Sequence, residues 1–361
     1  MMKILYDNQV FCWQKFGGIS RYFYELIKNL DNDIIPEFPI YLSNNHYIAN
    51  KDISSHFHFF PNTEFRKKFG IISRVNKLAF RIGNKKNIDI VHPTYYDPYF
   101  LKYIGNKPFV LTVYDMIHEK YPDLFVKDPT THHKPLLCQK ATKIIAISEN
   151  TKKDLINIWD IKPEKIEVIY LGQSFNLANA QKVDLPDRYI LYTGQRNLYK
   201  NFTRCAKAFA KIAENNKDLK FICTGQPFSK EELTLFENLK ISNLVQHLFV
   251  NDNQLVTLYK HAQLFVFPSE YEGFGIPILE AFASGCPIAL SNTSCFPEIA
   301  GNAGLYFDPI DVDSIVAAMQ QLLNSESLRE ELIAKGFLQL RKFSWTKMAK
   351  ETCLLYKNMN R

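Results

Sequence analysis

Residues Ser269 to Pro287 read "SEYEGFGIPILEAFASGCP". Just upstream, "AQLFVFPS" (Ala262–Ser269) is a short apolar run rich in aromatics that ends at a proline, the pattern of a buried strand. Downstream, Pro277 suits the first position of a helix, where its missing N–H costs nothing, and apolar spacing continues until Gly285 stops it. The layout is strand, glycine loop, helix. A helix start carries unpaired backbone N–H groups and the positive end of the dipole, so it favours a phosphate, and Gly273 and Gly275 let a ligand come close to the backbone. Glu280 is expected in the first turn, where a carboxylate can accept from a pair of sugar hydroxyls; Glu272 in the loop can hold a second polar group. The competing reading of this segment is that both glutamates only favour a helix start by charge and point into water.

Apolar strand-like runs alternate with helical patterns on either side, the signature of parallel sheets with crossover helices. The first series is "KILYD", "IIPEFPIYL", "DIVHP", "PFVLTVYD", "TKIIAIS" and "KIEVIYLG", closing at Gly172. Residues 173–188, "QSFNLANAQKVDLPDR", lack periodicity and are expected to be a linker. A second series runs through "YILYTG", "LKFICTG", "HLFV", "QLFVFPS", "PIALS" and "GLYFD". The expected organisation is a domain over 1–172, a linker over 173–188, a second domain over 189–343 and a helix over 344–361 that crosses back to the first domain. Ligands of such doubly wound sheets bind at the carboxyl ends of the strands.

The chain has 361 residues, 46% apolar and 22% charged, which describes an ordinary globular protein long enough for two cores. Its seven cysteines are dispersed singly, as in a reducing cytosol, and lack paired metal-ligand spacing; His132 and His133 lack a third ligand. The N-terminal run is too short and polar for a secretory signal, and no window approaches a membrane span, so a cytoplasmic protein is expected. The net charge of +7 is uneven: up to Gly172 there are 24 Lys and Arg against 18 Asp and Glu. Much of the excess lies in "EFRKKFGIISRVNKLAFRIGNKK" (64–86). In a helix, Phe65, Phe69, Ile72, Ala79 and Ile82 would share one broad face, with Arg66, Lys67, Arg74, Lys77, Arg81 and Lys85 on the flanks and back. That pattern fits peripheral attachment to an anionic inner membrane surface, or equally a core-packed helix with a solvated basic back. No nucleic-acid motif accompanies the basic residues.

With these segments in hand, the sequence resembles the family 4 glycosyltransferases, retaining enzymes of the GT-B fold. The resemblance spans nearly the whole chain. Glu272, Gly273, Phe274, Gly275 and Glu280 fit the family's two glutamates separated by seven residues, and "NTSCFPEIAGNAGLYFDP", "TGQRNLYKN" and "FGGISRY" are similar to further family segments. "TVYDMIHEKYP" and "AISENTKKDL" are similar to the branch of bacterial O-antigen and capsule mannosyl- and rhamnosyltransferases.

The resemblance implies two facing Rossmann-like domains with a cleft between them. It implies that Arg196 and Lys200 stabilise the departing nucleoside diphosphate, that Glu280 holds the donor ribose and that Glu272 reaches hydroxyls of the transferred sugar. Backbone around Gly273, Phe274, Gly275 and Ile276 would meet sugar or phosphate, and Gly17 and Gly18 would close on the diphosphate from the first domain. Arg196 and Lys200, two cations at a strand end, could neutralise a diphosphate without a metal. Where many members have His-Asp, this chain has Tyr114-Asp115, with His118 three residues on. Asp115 is a catalytic candidate; Tyr114, His118 and His92 are candidates for the acceptor.

The expected reaction is retaining transfer of a sugar, mannose or a related sugar from a GDP-sugar as first choice, to a hydroxyl of a glycan or lipid-linked (polyprenyl-linked) acceptor in surface polysaccharide biosynthesis, with no cofactor and no metal. Alternatives are a UDP- or dTDP-sugar donor, a nucleotide-sugar 2-epimerase, or a non-catalytic glycan-binding subunit. An NAD-dependent dehydrogenase is disfavoured because no G-x-G-x-x-G follows the first strand.

Overall fold

A computed structural model describes residues 1–63, 65–83, 87–196 and 198–359. The chain divides into two units, Met1–Leu171 with Ser344–Arg361, and Gly172–Phe343.

The first unit contains β1 (Met2–Tyr6), β2 (Ile34–Glu37), β3 (Ile90–His92), β4 (Val110–Val113), β5 (Lys143–Ala146) and β6 (Ile166–Val168). They form two parallel three-stranded groups, β2-β1-β3 and β4-β5-β6, joined by a parallel bridge between Val91 and Phe109. The central strands are buried along their length, which is why they read as continuous apolar runs rather than alternating ones. β2, an edge strand, ends at Glu37, short of the expected Leu42; Pro36 within it and Pro39 just beyond it offer no N–H.

In the second unit, β7 (Tyr189–Tyr192), β8 (Lys220–Cys223), β9 (Val245–His247), β10 (Leu264–Phe267), β11 (Ile288–Ser291) and β12 (Leu305–Phe307) make one parallel sheet ordered β12-β11-β10-β7-β8-β9. Its core stacks Phe209 on Phe221 at 5.0 Å between ring centres. β9 sits two residues before the expected "HLFV", since Val245 is buried whereas Phe249 is 90% exposed. The stretch 173–188 lies in this unit: the Gln181 N–H donates to the Asn253 carbonyl at 3.2 Å, and Thr257 Oγ1 donates to the Gln181 carbonyl at 2.6 Å.

The helix Trp345–Met359 belongs to the first unit and buries Trp345, Met348, Ala349, Thr352, Cys353 and Tyr356 along one stripe. The Tyr356 hydroxyl lies 2.5 Å from His92 Nδ1 and 3.1 Å from the Tyr6 hydroxyl, and Lys357 pairs with Asp31 and Asp33.

The basic segment forms a helix over Lys68–Gly83, and its faces differ from the expected ones. Ile72, Asn76, Ala79, Phe80 and Gly83 are buried, whereas Phe65, Phe69 and Ile82, expected on the same face as Ile72, are exposed together with Ile71 and Leu78. The cause is Asn76. Its Oδ1 accepts from the Tyr41 and Leu42 N–H groups at 2.9 and 3.0 Å, and its Nδ2 donates to the Leu42 carbonyl at 2.7 Å, so a polar residue sits at the centre of the buried face. Glu64, Lys85 and Lys86 lie outside the described residues.

Candidate active site

In the second sheet the strand order reverses between β7 and β10, and the crevice at the carboxyl ends of the strands beside such a reversal is where ligands bind in open α/β sheets. The loop after β7 carries Lys200 and the loop after β10 carries Glu272. Lys200 Nζ lies 2.5 Å from Glu272 Oε1, with the two side chains 18% and 12% exposed.

Both loops are held by polar side chains. Asn201, at a left-handed φ of 56°, donates through Nδ2 to the carbonyls of Pro268 at 3.1 Å and Pro309 at 2.6 Å, tying the Lys200 turn to the end of β10. The Glu270 N–H donates to the Tyr199 carbonyl at 2.8 Å. On the other side, Ser294 Oγ accepts from the Glu272 N–H at 3.1 Å and donates to its carbonyl at 2.8 Å. Gly275, at φ 89°, caps the following helix; a Cβ there would lie 3.0 Å from Ile278 Cδ1 and 3.4 Å from the rings of Phe267 and Phe296, so the turn requires glycine.

That helix spans Ile276–Ala283, which puts Pro277 second and Glu280 fifth rather than in the first turn. Glu280 is oriented from behind: the Tyr259 hydroxyl donates to its Oε2 at 3.4 Å and is itself 3.0 Å from Thr193 Oγ1. Burial, reinforced by the Glu280 carboxylate, holds the Tyr259 hydroxyl protonated by raising its pKa well above the usual value. Gly273 and Phe274 are buried within this loop, and Phe274 packs edge-on against Phe343.

Arg196 is not brought to Lys200. Its Nε donates to Glu232 Oε1 at 2.6 Å, one terminal nitrogen to the Thr224 carbonyl at 3.1 Å and the other to the carbonyls of Gln226 and Pro227, with the guanidinium 4.9 Å over the Phe228 ring. The side chain is 5% exposed, and its bonds to the Thr224, Gln226 and Pro227 carbonyls anchor the loop after β8.

The other candidates lie in the first unit. Gly17 and Gly18 open the helix Gly18–Lys28, where Gln14 Oε1 lies over Gly17 and accepts from the Ser20 N–H at 3.2 Å. Asp115 follows β4; its Oδ1 caps the Ile117 N–H at 3.0 Å, and its carboxylate, 28% exposed, is 4.0 Å from the fully buried Lys134 ammonium. The three acceptor candidates are not gathered into one site. His92 is in the core, bonded to Tyr356 and, at 2.9 Å, to Thr112 Oγ1, and burial pushes its pKa down to about 3. The Tyr114 hydroxyl donates to the Thr94 carbonyl at 3.3 Å, and His118 stacks on Phe125 and reaches Asp128 at 3.2 Å. His92 ends β3 and Tyr114 follows β4, both in the buried layer, whereas His118 lies on the short helix Ile117–Lys120 and is partly exposed.

Residues that the sequence did not single out sit at the first unit's own strand-order reversal, between β1 and β3. Asp7 is fully buried, which raises its pKa to about 6 against the hydrogen bonds it accepts from Thr94 and Gln9. Gln9 in turn bonds both backbone groups of Asp97, Nε2 to the carbonyl at 3.0 Å and Oε1 from the N–H at 2.8 Å. An acid directly after a predicted first strand, in "ILYDNQ", was the available signal.

A family model described as Glycosyltransferase Family 4 matches residues 16–173, and one described as Glycosyl transferases group 1 matches residues 174–339. The chain is 30% identical over 296 residues to O-antigen chain mannosyltransferase B of Escherichia coli, covering 77% of this chain and 76% of that protein. It is 27% identical over 248 residues to O-antigen chain mannosyltransferase RfbU of Salmonella typhimurium, covering 68% and 67%. Among solved structures, a glycosyltransferase from Rickettsia africae superposes with a TM-score of 0.73 at 22% identity, covering 99% of this chain and 98% of that one. Anabaena HepE in complex with UDP and glucose gives 0.74 at 15% identity, covering 99% of both.

Proposed function

The chain belongs to the family 4 glycosyltransferases, and from that membership we propose that it moves a hexose from a nucleotide-sugar donor to a hydroxyl of a glycan or lipid-linked acceptor in surface polysaccharide synthesis. The observation that carries the reading is the Lys200–Glu272 pair at the reversal between β7 and β10. There Lys200 neutralises charge on the departing diphosphate, Glu272 accepts from hydroxyls of the moving sugar, and Glu280 accepts from the ribose. Transfer proceeds with retention and without a metal ion, the acceptor hydroxyl attacking from the face the diphosphate leaves. Catalysis is then mainly positioning and leaving-group stabilisation. GDP-mannose is the first-choice donor, in keeping with the mannosyltransferase names of the relatives.

The acceptor reading includes a membrane surface. The exposed side of the helix Lys68–Gly83 and the turn before it combines Phe65, Phe69, Ile71, Leu78 and Ile82 with Arg66, Lys67, Arg74 and Arg81, and residues 65–83 contain no Asp or Glu. Apolar groups among unopposed cations suit an anionic lipid interface. No helix of the described residues is long and apolar enough to cross a membrane.

A panel of GDP-, UDP- and dTDP-sugars tested by thermal shift, followed by transfer assays with the donor that stabilises, tests the reading. No stabilisation by any donor would remove it. Conversion of donor to a free epimer without acceptor would replace it with the epimerase alternative.

A further inference from the structure

We propose that Asn201, clasped by Arg204 and Glu270, is a positioning residue of the transfer reaction, and that it acts through Lys200, which it holds against Glu272, rather than by contact with a ligand. The proposal rests on the transferase reading for the role of Lys200, and on the loop geometry alone for the clasp.

Asn201 stands directly before the helix Phe202–Ala213, where an asparagine side chain ordinarily accepts from N–H groups of the first turn. It makes no such cap, and its backbone is left-handed, at φ 56° and ψ 29°. The residue is buried, and its side chain is turned away from its own helix. Nδ2 instead spans the carbonyls of Pro268 and Pro309, just past the ends of β10 and β12, the two strands that flank β11. Oδ1 accepts from an Arg204 terminal nitrogen at 2.9 Å, and the same nitrogen reaches Glu270 Oε1 at 2.8 Å. The Glu270 N–H closes the ring on the Tyr199 carbonyl, next to Lys200. Both amide hydrogens and the amide oxygen are thereby engaged.

A local cap has been given up for bonds to residues 67 and 108 positions away in sequence. Such bonds fix where the Lys200 turn stands relative to the β10 loop, which a cap on the turn's own helix could not do. Glu272 is anchored separately, through Ser294. With each partner set by its own loop, the ammonium is aimed before a donor arrives, and a misplacement of about 1 Å costs up to roughly 10²-fold in rate. Glu280 is oriented by other residues, Tyr259 and behind it Thr193, so nucleotide affinity should not depend on the clasp.

A double-mutant cycle on the full chain tests the role. Asn201→Gly, which keeps the left-handed backbone and deletes the clasp, should lower kcat by about tenfold to a hundredfold and leave affinity for the nucleoside diphosphate within about twofold. In a Lys200→Met background the same substitution should change kcat by less than about twofold, because the residue it acts through is gone. Arg204→Leu leaves both Asn201 donors in place; it should lower kcat by a smaller factor, and it carries the test if the glycine variant does not fold. Limited acetylation of Lys200 with N-hydroxysuccinimide acetate, read by mass spectrometry, reports the clasp without activity: the rate in Asn201→Gly should rise to that in Glu272→Gln. Unchanged kcat or unchanged Lys200 acetylation in Asn201→Gly, a parallel loss of nucleotide affinity, or an equal loss of kcat with and without Lys200 overturns the proposal. Absence of transfer by the wild type with every donor would instead sink the transferase reading, and the acetylation rates would then decide the clasp alone.

Discussion

Lys200 and Glu272, from loops on either side of the strand-order reversal in the second unit, meet at 2.5 Å with both side chains mostly buried. Removing one partner strands the other charge, so Lys200→Met and Glu272→Met should each lower the melting temperature, whereas the double variant should recover part of the loss. Turnover should not recover. Losing a charge-stabilising donor costs roughly 10²–10³ in kcat. A double variant with near wild-type turnover would show that the pair is purely structural.

Glu280→Ala should weaken nucleotide binding about tenfold to a hundredfold, the loss of a hydrogen bond to a charged group at roughly 1.5–3 kcal/mol. Tyr259→Phe, which removes the hydroxyl that orients Glu280, should weaken it by a smaller factor and leave kcat at saturating donor nearly unchanged. Calorimetric titration with the nucleoside diphosphate measures both, and equal affinity in all three proteins would remove Glu280 from the donor site.

If Lys200 and the start of the helix Ile276–Ala283 meet the leaving diphosphate as proposed, activity should persist in excess chelator. Complete loss on chelation, restored by Mg²⁺ or Mn²⁺, would require a metal in its place.

His92 gives the fold a pH dependence of defined sign. Its pKa falls to about 3 in the core, so between about pH 6.5 and 3 the unfolded chain binds the extra proton, and stability is lost as the pH falls. Asp7, raised to about 6, acts oppositely: its contribution is present below about pH 4 and lost as the pH rises through 6. Comparing the wild type with His92→Gln isolates the first term. The difference in unfolding free energy should shrink by up to about 1.4 kcal/mol per pH unit below pH 6.5. A difference flat with pH would show that His92 takes up a proton in the core as readily as in the unfolded chain.

The wild type should bind anionic vesicles at low salt and detach as salt rises. Neutralising Arg66, Lys67, Arg74 and Arg81 should release it, at about 1 kcal/mol per charge, with turnover on a short water-soluble acceptor nearly intact. Lys77 is left out because it is paired with Asp97. Failure of the wild type to bind at low salt would make the exposed face an ordinary surface.

The strands were legible because parallel strands buried on both faces leave unbroken apolar runs, and the Glu272 to Glu280 loop was legible because its chemistry is local. What the sequence hid depends on partners far along the chain. Arg196 stands four residues before Lys200 and looks like half of a pair, yet Glu232, on another helix, takes it. His92 ends a strand as a site residue would, yet Tyr356 reaches it from the opposite end of the sequence. Asn76 hid the helix face by the same logic, since a polar residue within an amphipathic pattern reads as outward until its backbone partners are known.

The return of the helix Trp345–Met359 to the first unit makes the second unit an insertion within the first, and this fixes an order of biosynthesis. A ribosome adding about 5–20 residues per second spends roughly 10–35 s on the second unit before it reaches Trp345. Throughout that interval the surface around Tyr6, Tyr22 and His92 waits for its cover, while the second unit can complete its own sheet. The part translated first is therefore finished last, and a nascent chain stalled before Trp345 is the species for which a chaperone has most to do.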